Sequence, residues 1–104
     1  MTPVMNNTKW DELRLSMAGL GELSPQFRVR NLRSGNVSEW DGEWFHHFYG
    51  RHEEDEWVEI AVSSSAQGEA VLQALRSAHV PGTTTPTGFK VFGYVPLGTH
   101  VEYL

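Results

Sequence analysis

The chain has 104 residues, of which 39% are hydrophobic and 20% charged, and its formal net charge is −5. This length allows one domain with one core, and the four Trp, three Tyr and five Phe are unlike the composition of a disordered chain. The absence of cysteine excludes disulfides, cysteine-zinc sites and thiol catalysis. No apolar stretch reaches the roughly 20 residues of a membrane span, and no signal peptide is visible, so we expect a cytoplasmic protein.

The N-terminal part of the chain predicts a helix. Residues 1–6 read as a flexible leader, and residues 7–104 as a single domain. Trp10, Leu13 and Met17 recur at helical spacing and predict a helix over residues 9–18. Thr8 is its expected N-cap, because Asp11 follows three residues later as in a capping box.

The next segment predicts strands. Residues 27–30 alternate between apolar and basic side chains, as in a half-buried strand. The motif WDGEW, residues 40–44, is typical of a tight hairpin, because Asp-Gly tolerates the positive φ of such turns. A two-residue loop would place Trp40 and Trp44 on different faces, whereas a three-residue loop would place them on one face. A strand over residues 44–49, with aromatic side chains on both faces, is expected to follow.

The C-terminal half predicts a strand, a helix and a terminal hairpin. Residues 57–62 alternate again, and Ser64 and Gln67 form a second capping box before a helix over residues 66–79. TTTPTG, residues 83–88, reads as a linker before two strands within residues 89–104, which turn at residues 96–99. Strands that are joined by short connections must pair in an antiparallel way. The expected fold is therefore an α+β two-layer domain, with an antiparallel sheet of about five strands and two helices packed on one face.

Two adjacent histidines, His46 and His47, are the candidates for metal binding or catalysis. Neighbouring residues of a strand point to opposite faces, so His46 and His47 cannot bind one ion from one side, and we expect no metal and no cofactor. An alternative function is a small enzyme or ligand-binding domain that uses His46 or His47 with nearby carboxylates in an aromatic pocket. No catalytic motif accompanies these residues, so we do not expect an enzyme.

Acidic and aromatic residues are concentrated in the middle of the chain. Residues 39–59 contain eight acids against Arg51 alone, and six of the twelve aromatic residues lie between positions 40 and 57. Negative charge disfavours nucleic acid and favours a partner protein with a basic surface, and Trp and Tyr are common in binding hot spots. We expect no membrane contact and either a monomer or a homodimer. The predicted partner-binding residues are Trp40, Asp41, Glu43, Tyr49, Glu53, Glu54, Asp55 and Glu56.

Four motifs, NTKWDEL, WDGEWF, EWVEI and VFGYV, resemble those of an uncharacterised bacterial family of similar chain length. The resemblance covers most of the chain from Asn7 onward and implies no catalytic residues, because no activity is assigned to that family. In size and charge the chain is similar to the immunity proteins that neutralise bacterial toxins, which is an analogy of class. The function expected from the sequence is therefore a small acidic protein-binding domain, of the immunity or antitoxin type, that binds and neutralises a toxin.

Overall fold

The computed structural model describes residues 1–104 and contains three α-helices and two antiparallel sheets. The helices are α1 (Asn7–Ala18), α2 (Trp44–His47) and α3 (Ser65–Ala78), and a 3-10 turn spans Gly21–Leu23. The strands are β1 (Thr2–Pro3), β2 (Gln26–Asn31), β3 (Asp55–Ala61), β4 (Gly82–Thr85), β5 (Gly88–Phe92) and β6 (Tyr94–Val95). The α+β prediction is confirmed, but the main sheet has four strands instead of five.

The main sheet runs in the order β2-β3-β5-β4, and one of its faces lies on the core. Register places Ile60 opposite both Phe27 and Phe89, so these three side chains share a face. They belong to one buried cluster with side chains of the two long helices, among them Trp10, Leu13, Met17, Val71 and Leu75. Helices α1 and α3 therefore pack on the same face of the sheet.

The predicted N-cap residue is wrong for α1 and right for α3. The N-cap of α1 is Asn6, whose side chain accepts a hydrogen bond from the Lys9 N–H at 2.8 Å, so the prediction of Thr8 is wrong. Asparagine caps at least as well as threonine and stands in the position that reaches the third helical N–H. The N-cap of α3 is Ser64, as predicted, and it accepts from the Gln67 N–H at 3.1 Å.

The predicted hairpin at WDGEW does not form. Gly42 lacks the positive φ that a tight hairpin would require of it. Instead, the Asp41 carboxylate accepts from the Glu43 N–H at 2.8 Å, and the Glu43 carboxylate accepts from the His46 N–H at 3.1 Å. These side chains satisfy backbone donors at the start of a helix, so the segment turns into α2 and not into a strand.

The predicted strand over residues 44–49 is wrong for a related reason. Trp44 and Phe48 are four residues apart, and in a helical turn both side chains point toward the core. Trp44 is buried against Phe27, with ring centroids 4.3 Å apart, and its Nε1 donates to the Pro25 carbonyl oxygen at 2.8 Å. Core packing therefore selects helical spacing over the alternating pattern of a strand.

The predicted linker and terminal hairpin also differ from the structure. The threonines of residues 83–85 belong to β4, and a two-residue turn at positions 86 and 87 joins β4 to β5. β-branched residues suit an edge strand, which the linker interpretation overlooked. The turn at 96–99 is confirmed by a bond of 3.0 Å between the Thr99 N–H and the Pro96 carbonyl. Beyond it, Tyr103 only bridges to Pro81 and no second strand of a hairpin forms.

Irregular segments cover part of both outer edges of the main sheet. Residues 37–41 return antiparallel along β2 through bridges at Val37 and Asp41, and residues 102–104 run beside the start of β4. At the N-terminus, the residues expected to be a leader include β1, which pairs with β6. Covered edges leave fewer free backbone groups for pairing with another chain.

Candidate functional site

The predicted partner-binding residues fall on two structural elements. Trp40, Asp41, Glu43 and Tyr49 lie in the segment that returns along β2 and continues through α2. The four acids at positions 53–56 lie where the following loop enters β3. The exposed side chains at positions 40, 43, 45 and 49 are called the 40–49 surface below.

Arg14 of α1 holds two exposed aromatic rings of the 40–49 surface. Arg14 is only 7% exposed, and its guanidinium donates to Asp11 at 3.1 Å and to the Phe45 carbonyl oxygen at 2.7 Å. Its central carbon lies 4.9 Å from the ring centroid of Phe45 and 4.9 Å from that of Tyr49. Phe45 is 51% exposed and Tyr49 71% exposed. Cation–π contacts therefore position two rings that remain accessible to solvent.

Trp40 is fixed to the outer face of the main sheet. The Arg28 guanidinium lies 4.5 Å from the Trp40 ring centroid and donates to Glu59 at 2.7 Å. Glu59 is opposite Lys90 on the neighbouring strand, and the Lys90 ammonium lies 4.4 Å from the ring of Trp57. Trp40 is 38% exposed, so this network leaves part of its indole available at the surface.

Half of the eight carboxylates of the acidic segment, residues 39–59, form ion pairs with arginines of the same chain. Arginines of β2 and of the turn that follows it face the acids across the β2–β3 pairing. The N–O distances are 3.3 Å for Arg51–Glu53, 2.9 Å for Arg33–Glu54, 3.3 Å for Arg30–Glu56 and 2.7 Å for Arg28–Glu59. Glu39 and Glu43 form no ion pair. The negative field is therefore weaker than the sequence suggests, because three of these four cations come from β2 and the turn that follows it.

Asp41 supports the start of α2. Its carboxylate accepts the Glu43 N–H and lies 2.7 Å from His47 Nδ1. The bond from the Glu43 N–H lowers the pKa of Asp41, partial burial acts in the opposite direction, and His47 lowers it further. This arrangement makes Asp41 an internal hydrogen-bond acceptor that shapes the 40–49 surface.

The two histidines considered for catalysis lie at the surface. His46 and His47 are exposed on α2, and neither lines any of the four cavities in the structure. No group of three or more His, Cys, Asp or Glu side chains is arranged to hold a metal ion. The structure thus forms no pocket around these two residues.

The buried histidine is His52, which is 8% exposed. Its Nδ1 lies 2.6 Å from Asp55 Oδ2, and its ring stacks on Phe48 with centroids 4.5 Å apart. The i, i+3 spacing of His52 and Asp55 is visible in the sequence. Its burial is not, because the covering rings come partly from Trp10 on α1.

A cavity of about 480 Å³ lies on the outer face of the sheet. Trp57 and Phe92, which are cross-strand neighbours, line it together with residues 99–102 of the C-terminal segment. Among the predicted partner-binding residues, only Glu56 contributes to its wall. This cavity is therefore separate from the 40–49 surface.

The three helices are all too short to cross a lipid bilayer as an apolar span. A comparison with curated proteins and one with solved structures find no significant match. A family model matches residues 1–98, nearly the whole chain, and its description assigns no function to the family. The chain therefore belongs to the family of unknown function DUF6678.

Proposed function

We propose that the protein is a non-catalytic binding domain that recognises a basic partner protein through the 40–49 surface. The observation that carries this proposal is the pair of exposed rings, Phe45 and Tyr49, positioned by the buried guanidinium of Arg14. Aromatic side chains that are already ordered in the free protein lose little conformational entropy on binding. Rings of this kind are typical anchors of interface hot spots.

The negative charge of the chain is complementary to the basic surface proposed for the partner. The chain carries a net charge of −5, and Glu43 on the 40–49 surface has no cationic partner within the chain. The ion pairs of Glu53 and Glu54 are exposed, and exposed pairs are weak enough to be exchanged for basic residues of a partner. Such carboxylates would accelerate encounter and reject acidic competitors.

The proposed contact set differs from the one expected from the sequence. It keeps Trp40, Glu43 and Tyr49, adds Phe45, and assigns Glu53 and Glu54 to the rim. It omits Asp41, Asp55 and Glu56, because their carboxylates are already bound within the chain and are largely covered. Breaking such an internal hydrogen bond costs more free energy than a new contact at the surface provides.

The proposed biological role is that of an immunity or antitoxin protein in a bacterial cytoplasm. In this role the rings would anchor the toxin, and the carboxylates would occupy a basic cleft that otherwise binds the toxin's substrate. The small size, the negative charge and the resemblance of the motifs to a bacterial family support this assignment.

The proposal is tested by affinity capture from the producing cells. The baits are the wild-type chain, a Phe45→Ser/Tyr49→Ser variant and a Leu97→Ser control, which removes an exposed apolar side chain at a distant turn. We expect the wild type and the control to retain a protein with a basic surface and the double variant to lose it. Equal recovery by all three baits, or no specific recovery by any, would contradict the proposed surface.

A second step separates inhibition from simple binding. The captured protein is expressed in a bacterial host with and without the chain, and growth is measured. A toxin should arrest growth alone, and co-expression of the wild type should restore it, whereas the Phe45→Ser/Tyr49→Ser variant should not. Growth that does not depend on the captured protein would remove the immunity role and leave only the binding domain.

A further inference from the structure

His52 is buried with one ring nitrogen unused. Its Nδ1 lies 2.6 Å from Asp55 Oδ2, whereas Nε2 makes no hydrogen bond within the chain and is not sealed from solvent. A carboxylate can only accept hydrogen bonds, so Nδ1 carries the hydrogen and Nε2 of the neutral ring keeps a lone pair. The pair therefore presents a hydrogen-bond acceptor of defined position.

The imidazole is held in this orientation from several sides. Its ring stacks on Phe48 at 28° and lies 5.3 Å from the ring of Trp10. The Asp55 N–H donates to the His52 carbonyl oxygen at 3.1 Å, so backbone and side chain of Asp55 both bind the same residue. Rotation of the ring would break these contacts.

His52 lines a cavity of about 230 Å³, and because the residue is otherwise buried we infer that its open nitrogen faces this space. His52 lines it with Trp10, Asn7, Glu53 and Tyr94, and the Tyr94 hydroxyl donates to the Glu53 carbonyl oxygen at 2.6 Å. A water molecule occupies about 30 Å³ of liquid, so the space suits a molecule of a few heavy atoms. No lysine or arginine lines the cavity, and the carboxylate of Glu53 lies 3.3 Å from Arg51.

We propose that this cavity binds a small organic ammonium ion. One N–H of the ligand donates to His52 Nε2, and the carboxylate of Asp55, which lies 2.6 Å from the opposite ring nitrogen, balances its charge. An anion would meet a lone pair and a carboxylate, and a metal ion would lack the three side-chain ligands that a stable site needs. The site lies outside the 40–49 surface and shares only Glu53 with the rim of the partner interface proposed above.

The experiment is an NMR titration of the full-length chain, labelled with ¹⁵N, with ethylammonium chloride. It is done at pH 8, where an ordinary imidazole is neutral. The control titrant is tetramethylammonium chloride, which carries the same charge but has no N–H donor. We expect ethylammonium to shift His52 Nε2 and the backbone amides of Asn7 and Glu53 in a saturable way, and tetramethylammonium to leave them unchanged.

An Asp55→Asn variant tests the role of the lone pair. The amide removes the negative charge beside the ring, and where its NH2 group donates to Nδ1 the ring hydrogen moves to Nε2 and the acceptor is lost. We expect roughly tenfold weaker ethylammonium binding, the effect of losing one charge-assisted hydrogen bond. A Glu22→Gln variant is the matched control, because Glu22 is exposed and lies outside the cavity.

A His52→Phe variant provides an independent test, because it keeps an aromatic ring against Phe48 but has no acceptor. It too should bind ethylammonium at least roughly tenfold more weakly. The proposal is overturned if ethylammonium produces no saturable shift or if both titrants produce the same shifts. It is also overturned if the folded Asp55→Asn and His52→Phe variants bind ethylammonium as tightly as the wild type does.

Discussion

The Arg14 guanidinium lies 4.9 Å from the ring centroid of Tyr49 and links a surface aromatic residue to the first helix. The same guanidinium donates to the carbonyl oxygen of Phe45, which is 31 positions away in the chain. A group with this many internal bonds contributes to the stability of the fold as well as to the shape of the 40–49 surface.

Replacement of Arg14 by Gln should lower the free energy of unfolding. The change removes donors to Asp11 and to the Phe45 carbonyl, and we expect a loss of about 1–3 kcal/mol in urea denaturation. The control is Arg76→Gln, since Arg76 is exposed and forms no ion pair, and its effect should stay within about 0.5 kcal/mol. Equal effects of the two substitutions would refute a structural role for Arg14.

The two tryptophans of the WDGEW motif should respond differently to substitution. Trp44→Ala removes a side chain that is fully buried against Phe27 and Phe48, and we expect a loss of about 3–5 kcal/mol in the free energy of unfolding. Trp40→Ala removes a partly exposed side chain from the sheet surface and should cost about 1 kcal/mol or less. Thermal and chemical denaturation of the two variants measure this contrast, and similar losses would contradict the different placements.

The hydrogen bonds of Asp41 predict a pH dependence of stability. Its pKa is lowered in the folded protein, so its stabilising contribution is present above the pKa of the unfolded chain and is lost as pH falls through the folded value. An Asp41→Asn variant should therefore be less stable than wild type at pH 6. The difference should shrink as the pH falls below 3.8, the ordinary value for this carboxyl.

Denaturation of both proteins across this pH range measures the effect. A Glu22→Gln variant, which changes an exposed carboxylate outside α2, serves as the control and should show no such narrowing. A gap between Asp41→Asn and wild type that stays constant, or that widens toward low pH, would show that the bonds of Asp41 do not favour its charged form.

Local signals account for the parts of the fold that the sequence predicted. The alternation in residues 27–30 and 57–62 depends only on neighbouring residues, and both segments are strands. The capping pair Ser64 and Gln67 likewise acts over three positions. The hairpin predicted at Asp41 was wrong because an aspartate oxygen that favours a turn can equally accept from the first N–H groups of a helix.

The candidate site could be predicted only in part. Exposure of Tyr49 and of Trp40 was expected, but the role of Arg14 depends on packing between α1 and α2. Neutralisation of Glu54 and Glu56 depends on the strand register that brings Arg33 and Arg30 beside them. Pairings between distant parts of the chain follow from the tertiary fold, and a single sequence contains no local pattern for them.

The most direct test of the proposed function is the dissociation constant of the captured partner, measured for the wild type, for Tyr49→Ser and for Leu97→Ser at the same salt concentration. Loss of an anchoring ring should weaken binding by roughly tenfold or more through faster dissociation. The account predicts this loss for Tyr49→Ser and none for Leu97→Ser. Equal dissociation constants for the wild type and Tyr49→Ser would contradict it.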